Sequence, residues 1–378
     1  MFAIVAGIIC VLVWLYLVLA RGGFWRVGKH VLPPLPHRQS FRVAVIVPAR
    51  NEAAFVSQSV ASLLNQTGNN SIHIFFVDDS STDGTAEVVR QAAEQAGKSS
   101  ALTVVQGTAL PSGWTGKLWA MQQGMACARE WQPQFMLFTD ADILHSPDSI
   151  ATLASIAESG YDLVSFMVKL QCNTPAERFL VPAFVFFFFK LYPPAWISQS
   201  NYKTAGAAGG SILMRPEALE RAGGLEAIRS EIIDDCALAR AVKNHGGKLW
   251  LGLTNTSMSL RPYKTMTEVG SMISRTAFNQ LHHSALMLLV ALVGLTITYL
   301  LPPSLVFSHR FVPAILGATA WLLMILAYLP MVRFYGLNPL WTLTLPLVAI
   351  FYMGATFHSA IRYWSGRGGQ WKGRQQDR

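Results

Sequence analysis

The chain predicts an α/β fold, a mainly parallel sheet with helices on its faces, set between membrane-spanning helices. Three observations predict it. Runs rich in β-branched and aromatic residues alternate with helical patterns from about residue 40 to 280. Acidic clusters fall at the carboxyl ends of those runs, where open α/β sheets bind ligands. Long uncharged apolar stretches lie on both sides of this middle section.

The first element, Met1 to Ala20, is uncharged and apolar, close to the ~20 residues that a helix needs to cross a bilayer. Arg21, Arg26 and Lys29 follow it. A cleaved signal peptide has the reverse charge order, so residues 1–22 are expected to be a retained anchor with the next domain in the cytosol. Composition agrees: charged residues are 13% and apolar residues 52% of the 378, a balance that favours a membrane protein. The net charge of +9 comes from Lys and Arg that are scattered or abut apolar segments, without a basic stripe. A membrane surface and a phosphate-bearing substrate are the expected partners, and nucleic acid is not. Cys10, Cys127, Cys172 and Cys236 lie far apart without paired metal-ligand spacing. They read as buried thiols of a reducing compartment and not as a disulfide framework.

In the middle section, Val43–Val47 reads as a buried strand closed by Pro48. Ala53 to Leu64 has helical spacing, with Gly68 as a stop. Ile72 to Val77 is a second strand and ends in Asp78-Asp79. Thr82 or Asp83 can cap a helix from Thr85 to Ala96, which Gly97 ends. Leu102 to Val105 is a third strand, Leu118 to Ala128 a helix, and Phe135 to Phe138 a fourth strand. No Gly-x-Gly-x-x-Gly follows the first strand, which disfavours a dinucleotide fold. Phe179 to Phe189 is a dense aromatic block, too short for an ordinary span. A segment of about 178–197 resting on the membrane surface is expected, with a buried core helix as the alternative.

Beyond Ser284 three spans fit, at about 284–302, 312–332 and 338–360, with breaks at Pro302-Pro303 and between Arg333 and Pro339. The apolar region is bounded at about 361 and a basic tail of 362–378 follows. An outside amino terminus and four crossings place that tail outside, although Arg362, Arg367, Lys372, Arg374 and Arg378 prefer the inside. Either one segment is re-entrant or the charges are tolerated.

The run Phe135-Met136-Leu137-Phe138 delivers Asp140 and Asp142 one residue apart. If the segment stays extended, both carboxylates point the same way and reach one hard cation. An ion with few protein ligands keeps open positions, which suits a diphosphate. Alone, such a pair is weak, because turns after strands are often acidic. Pro48-Ala49-Arg50-Asn51-Glu52 leaves the first strand and Val77-Asp78-Asp79-Ser80-Ser81-Thr82-Asp83 leaves the second. With Asp140-Ala141-Asp142, these resemble the nucleotide-sugar-binding half of a family 2 glycosyltransferase, which has the GT-A fold. The likeness runs from about 41 to 280, within an expected domain of 40–280. The arrangement of spans is similar to ceramide glucosyltransferases and closer to bacterial hopene-associated glycosyltransferases.

The resemblance implies roles residue by residue. Glu52 and Asp79 would hold the uridine, with Asp78 close by. An acidic turn and helix cap is the plain alternative, and for Asp83 the preferred one. Gly113-Trp114-Thr115-Gly116-Lys117 is similar to a glycine-lysine segment of the family, so Lys117 would face the donor phosphates; a solvated lysine at a helix start is the alternative. Thr204 to Met214 is a Gly/Ala-rich loop running into a strand, in which Gly209-Gly210 permits close backbone approach; a tight turn without substrate contact is the alternative. Arg215 to Gly224 is similar to the segment beside the acceptor pocket. In Glu231-Ile232-Ile233-Asp234-Asp235-Cys236-Ala237-Leu238, Leu238 follows Asp235 by three, as in the family motif. Carried over, Asp235 is the catalytic base and Asp234 its neighbour; two acids at a helix start are the alternative. Asp142, with Asp140, would hold Mg²⁺ or Mn²⁺. In processive members a Gln- or Arg-x-x-Arg-Trp motif precedes the C-terminal spans. Here Met272-Ile273-Ser274-Arg275-Thr276 lacks its first polar residue and its tryptophan, which argues against a polysaccharide synthase, while Arg275 would still reach the diphosphate.

The expected function is therefore inverting sugar transfer from a UDP-sugar to a lipid hydroxyl, a hopanoid by resemblance. It would take place at a multi-pass protein of the bacterial inner membrane with its catalytic domain in the cytosol. A polyprenyl phosphate or a sphingolipid-type acceptor is the rival within the class. A catalytically silent membrane scaffold is the rival outside it, and the retained Asp79, Asp142 and Asp235 speak against that. A transporter is disfavoured by the lack of carboxylates in the C-terminal spans.

Overall fold

The computed structural model describes residues 1–30, 40–68 and 70–366, with the short strands Gln370–Trp371 and Arg374–Gln375. Two compact units are present. One holds the sheet, within His30–Gln171 and Trp196–Pro262, and the other is helical: Met1–Lys29, Cys172–Ala195 and Tyr263–Gly369.

In the sheet unit the strands are β1 (Arg42–Ala49), β2 (Ser71–Asp78), β3 (Leu102–Gln106), β4 (Phe135–Phe138), β5 (Ile143–Leu144), β6 (Leu163–Lys169), β7 (Ile212–Met214) and β8 (Leu249–Ser259). Their order is β3-β2-β1-β4-β7-β6-β8-β5. The first four neighbours are parallel, β6 runs parallel to β8, and β7 is antiparallel to both β4 and β6. β1 is a continuous apolar run because both of its faces are covered. Val43, Val45 and Val47 pack with Val56, Val60 and Leu63 of the helix Ala53–Leu64. On the opposite face Ile46 meets the helix Gly116–Glu130. The expected helix over 53–64 and strand over 135–138 have those bounds, and β1 and β2 run further than expected, by three and two residues. β7 is the strand expected at the end of the segment from Thr204 to Met214, and β5, β6 and β8 extend the sheet beyond the strands read from sequence.

The helical unit contains the helix Phe2–Leu19, followed within this unit by Pro175–Leu191. Among the described residues, five helices are long and apolar enough to cross a membrane: Phe2–Leu19, Pro175–Ile197, Ala285–Val306, Phe311–Phe334 and Pro339–Trp364. The aromatic block thus joins a longer helix than expected. Thr174 and Glu177 close a capping box at its start, and within the unit Phe186 and Phe187 meet Phe24, Tyr299, Tyr328 and Tyr352. Most of its side chains are buried.

Pro302-Pro303 does not break the first C-terminal span. The helix passes through a π-turn at Thr296–Leu300 and continues to Val306. A proline cannot donate to the carbonyl four residues back, so in the span Thr298 would lose its partner at Pro302. Trp14 Nε1 donates to that carbonyl at 2.8 Å, and Cys10 Sγ to the Ile297 carbonyl at 3.3 Å. Trp14, on the first helix, supplies the donor that Pro302 lacks. The thiols are also less uniform than expected: Cys10 and Cys236 are buried, Cys172 is half-buried and Cys127 is exposed. In the basic tail, Arg367, Lys372 and Arg378 lie outside the described residues.

Candidate active site

The acids sit where β1, β2 and β4 end and where the helix Asp234–Asn244 begins. The ends of β1 and β2 are tied by the Asp79 N–H, which donates to the Ala49 carbonyl at 2.8 Å. Around them Asn51, in a left-handed conformation, and Ser81, Thr82 and Asp83 exchange hydrogen bonds. Asp83 accepts from the Ala53 N–H at 3.0 Å and the Thr85 N–H at 3.1 Å. Slight burial would raise its pKa, but the Thr85 hydroxyl first, and then these N–H donors, outweigh it and lower it. Asp83 is thus a local brace, the plain alternative. Asp78 accepts from the Ser81 N–H at 3.3 Å, and its carbonyl takes the Gly107 N–H at 2.9 Å. Asp79 is 1% exposed, with Arg50 Nη1 at 3.7 Å from its carboxylate and 2.5 Å from its carbonyl oxygen.

After β4 the chain turns instead of staying extended: residues 141 and 142 form a turn, with the Ile143 N–H directed at the Asp140 carbonyl at 3.4 Å. Asp140 and Asp142 therefore take different partners. Asp140 Oδ1 lies 3.0 Å from Lys117 Nζ. Asp142 Oδ2 accepts from Arg261 Nε at 2.7 Å. The neighbouring Thr139 is fixed by the Gly210 carbonyl at 2.8 Å and by His145 Nε2 at 2.9 Å. Burial pushes the His145 pKa down to about 4, so the ring is neutral at pH 7.

Lys117, on the first turn of the helix Gly116–Glu130, is not a solvated lysine. Its ammonium lies 3.0 Å from both Asp140 and Asp234, joining the end of β4 to the start of the helix Asp234–Asn244. Burial would lower its pKa, but Asp140, then Asp234 and Asp235, outweigh burial and raise it. Burial, in turn, raises Asp140 against the pull of Lys117. Asp235 accepts from the Gly209 N–H at 2.8 Å and the Cys236 N–H at 2.7 Å. A side chain at 209 would place Cβ 3.3 Å from Asp235 and 3.4 Å from Lys117, so glycine permits this close approach. Burial first, and the charge of Asp234 second, raise the Asp235 carboxyl from 3.8 to about 6, against Lys117 and the two N–H donors. A carboxylate so poised accepts a proton near neutral pH.

Three residues were not found from sequence. Arg261, beyond β8, donates through Nη2 to both Glu52 oxygens at 2.7 and 2.6 Å and through Nε to Asp142. Arg50 and His145 brace Asp79 and Thr139. Nothing in the sequence joined Arg261 to Glu52 and Asp142, 209 and 119 positions away. The structure thus joins Glu52, Asp142 and Arg261 in one network and Asp140, Asp234, Asp235 and Lys117 in the adjoining one. Arg275 belongs to the helical unit, exposed on the helix Met266–Thr276.

For a divalent ion the donor chemistry fits. Asp140 and Asp142 offer hard carboxylate oxygens, Asp140 being 39% exposed. Among the described residues no group of three or more His, Cys, Asp or Glu converges as a self-sufficient metal site.

Known proteins resemble this chain in sequence and in fold. The family model "Glycosyl transferase family 2" matches residues 44–223. The chain is 29% identical over 128 residues to an undecaprenyl-phosphate 4-deoxy-4-formamido-L-arabinose transferase of Pseudomonas savastanoi, over 32% of this chain and 34% of that protein. It is 24% identical over 269 residues to the probable glycosyltransferase YdaM of Bacillus subtilis, over 65% of this chain and 58% of that one. The chain thus spans about a third to somewhat over half of the length of these curated relatives. In fold it is similar to the mannosyltransferase PcManGT of Pyrobaculum calidifontis, solved with GDP-Man and Mn²⁺. The TM-score is 0.54 at 17% identity, covering 94% of this chain and 99% of that one. The parallel β3-β2-β1-β4 core, the acids at its strand ends and the matched segment agree: residues 44–223 carry a glycosyl transferase family 2 domain.

Proposed function

We propose that the protein transfers a sugar from a nucleoside-diphosphate sugar, a UDP-sugar by resemblance, to the hydroxyl of a membrane lipid with inversion at the anomeric carbon. The supporting observation is Asp235, a carboxylate raised to about 6 and held by two backbone N–H groups beside Lys117. In the reaction the acceptor oxygen attacks the anomeric carbon while Asp235 takes its proton. The bond from that carbon to the diphosphate breaks, and the leaving group departs with the electron pair. Lys117 faces the charge that develops there. Asp142 and Asp140 would hold Mg²⁺ or Mn²⁺, which supplies neutralisation of the diphosphate when bound. Glu52 and Asp79, with Asp78 nearby, would receive the nucleoside through its N–H and hydroxyl donors. The five apolar helices support a membrane setting, and the bacterial inner membrane with a cytosolic catalytic domain is proposed from the charge order around the first helix.

A second reading, transfer to a polyprenyl phosphate, is favoured by the matched undecaprenyl-phosphate transferase. The chemistry separates the two. A lipid hydroxyl must lose a proton to Asp235, whereas a phosphate acceptor is already an anion and needs no base. Purified protein with UDP- and GDP-sugars is to be offered hopanoid, sphingolipid-type and polyprenyl-phosphate acceptors, with products weighed by mass spectrometry. For hydroxyl transfer Asp235→Asn should lower kcat by at least about 10²-fold while nucleotide binding survives. Transfer to polyprenyl phosphate alone, undiminished in Asp235→Asn, would replace the hydroxyl reading with the second one.

A further inference from the structure

Arg261 joins Glu52 to Asp142 and is held by three charge-assisted hydrogen bonds. Nη2 forks onto Glu52 at 2.7 and 2.6 Å, Nε meets Asp142 Oδ2 at 2.7 Å, and the guanidinium sits 5.2 Å from the centroid of the Phe55 ring. The Leu260 N–H donates to the Asp142 carbonyl at 2.7 Å, so the backbone beside the arginine is tied to the same residue. The Glu52 and Asp142 side chains are only 8% and 12% exposed, and the arginine is 30% exposed. Two buried carboxylates in one place require a cation. Here that cation is a side chain, and it occupies an oxygen of the acid expected to ligate the metal.

We propose that Arg261 is a positioning residue that stands in for the divalent cation at Asp142 in the resting protein, so that metal and nucleotide must enter together to displace it. This rests on the donor reading above, with Glu52 at the nucleoside and Asp142 at the metal. The charge count drives the coupling. With Asp140 already paired to Lys117 at 3.0 Å, Glu52 and Asp142 at −2 and Arg261 at +1, a divalent ion arriving alone leaves a net positive site and must break short hydrogen bonds. An ion arriving with a diphosphate brings its own negative charge. A nucleoside that engages Glu52 also removes two of the three bonds that hold the guanidinium.

The test is Mn²⁺ binding to the full-length protein in detergent, followed by the electron paramagnetic resonance of free Mn²⁺, with and without UDP. Wild type, Arg261→Gln and Arg261→Lys are compared, and their melting temperatures are recorded. Wild type should bind Mn²⁺ weakly alone and much more tightly with UDP. Arg261→Gln should bind Mn²⁺ alone about tenfold tighter than wild type, or more, and lose most of the gain from UDP. Arg261→Lys, whose ammonium still reaches Asp142, should keep the wild-type pattern. If Arg261→Gln binds Mn²⁺ alone no tighter than wild type, the stand-in role is wrong. An equal gain in Arg261→Lys would assign the effect to a loosened fold and also overturn it. Tight Mn²⁺–UDP binding in wild type would then leave the donor reading standing, whereas no binding in any protein would remove both.

Discussion

Asp235 works against its surroundings at the scale of one residue. Burial and Asp234 hold its carboxyl at about 6 rather than 3.8, so the folded protein binds that proton more tightly than the unfolded chain. The sign follows from linkage. Stability from this group is fully present below pH 4 and is lost as pH rises through 6, where activity needs the ionised form. Two outcomes are expected. The rate of hydroxyl transfer should fall about tenfold per unit as pH drops below 6, read from kcat against pH. Asp235→Asn should melt higher than wild type at pH 7.5, by about 1 kcal/mol or more in stability, since an uncharged amide avoids the buried charge but keeps one acceptor oxygen. An unchanged melting temperature with a flat rate profile would show that Asp235 does not titrate in this range. Residues such as Asp235, Lys117 and Glu52 were legible because each lies in a short run whose neighbours mark it. Arg261 was not, because what makes it part of the site is its approach to Glu52 and Asp142, and sheet order rather than sequence spacing brings them together.

Whole elements set where those side chains point. Lys117 takes its position from the helix Gly116–Glu130, which lies against the sheet at Gly124. A Cβ there would come within 2.8 Å of Val77 Cγ2 and 2.9 Å of Ile46 Cγ2. Gly124→Leu should therefore push the helix off β1 and β2 and destabilise the sheet unit by about 1–3 kcal/mol. Because the same helix carries Lys117, affinity for UDP should drop too, which isothermal titration would detect; a stable variant with unaltered UDP affinity would separate the helix from the site. Strands and helices with continuous apolar runs were legible at this scale, since β1 is buried on both faces and its sequence says so. The turn after β4 was not, because two acids one residue apart fit an extended segment and a turn equally well. Nor was the passage of the helix through Pro302-Pro303, which depends on Trp14 donating to a carbonyl nearly three hundred positions away.

Over the whole molecule, charge and apolar surface are segregated by unit. Every acid of the site comes from the sheet unit. Among the five apolar helices the one carboxylate is Glu177, buried and bonded to the Asn173, Thr174 and Tyr263 N–H groups at 2.8, 2.9 and 2.6 Å. Large apolar side chains stay exposed on the helices, among them Leu12, Leu289, Leu322, Leu347 and Ile350. Such surface, continuous over helices of 18 to 26 residues, is stable against hydrocarbon and not against water. Attachment by charge alone would be released by salt, since screening shortens the reach of surface electrostatics to about 3 Å at 1 M. The full chain in cell membranes should accordingly stay in the pellet through 1 M salt and alkaline carbonate and leave only with detergent, as immunoblots of the fractions would record. Release by carbonate would mean that these helices pack against protein rather than lipid, and the membrane acceptor would lose its support.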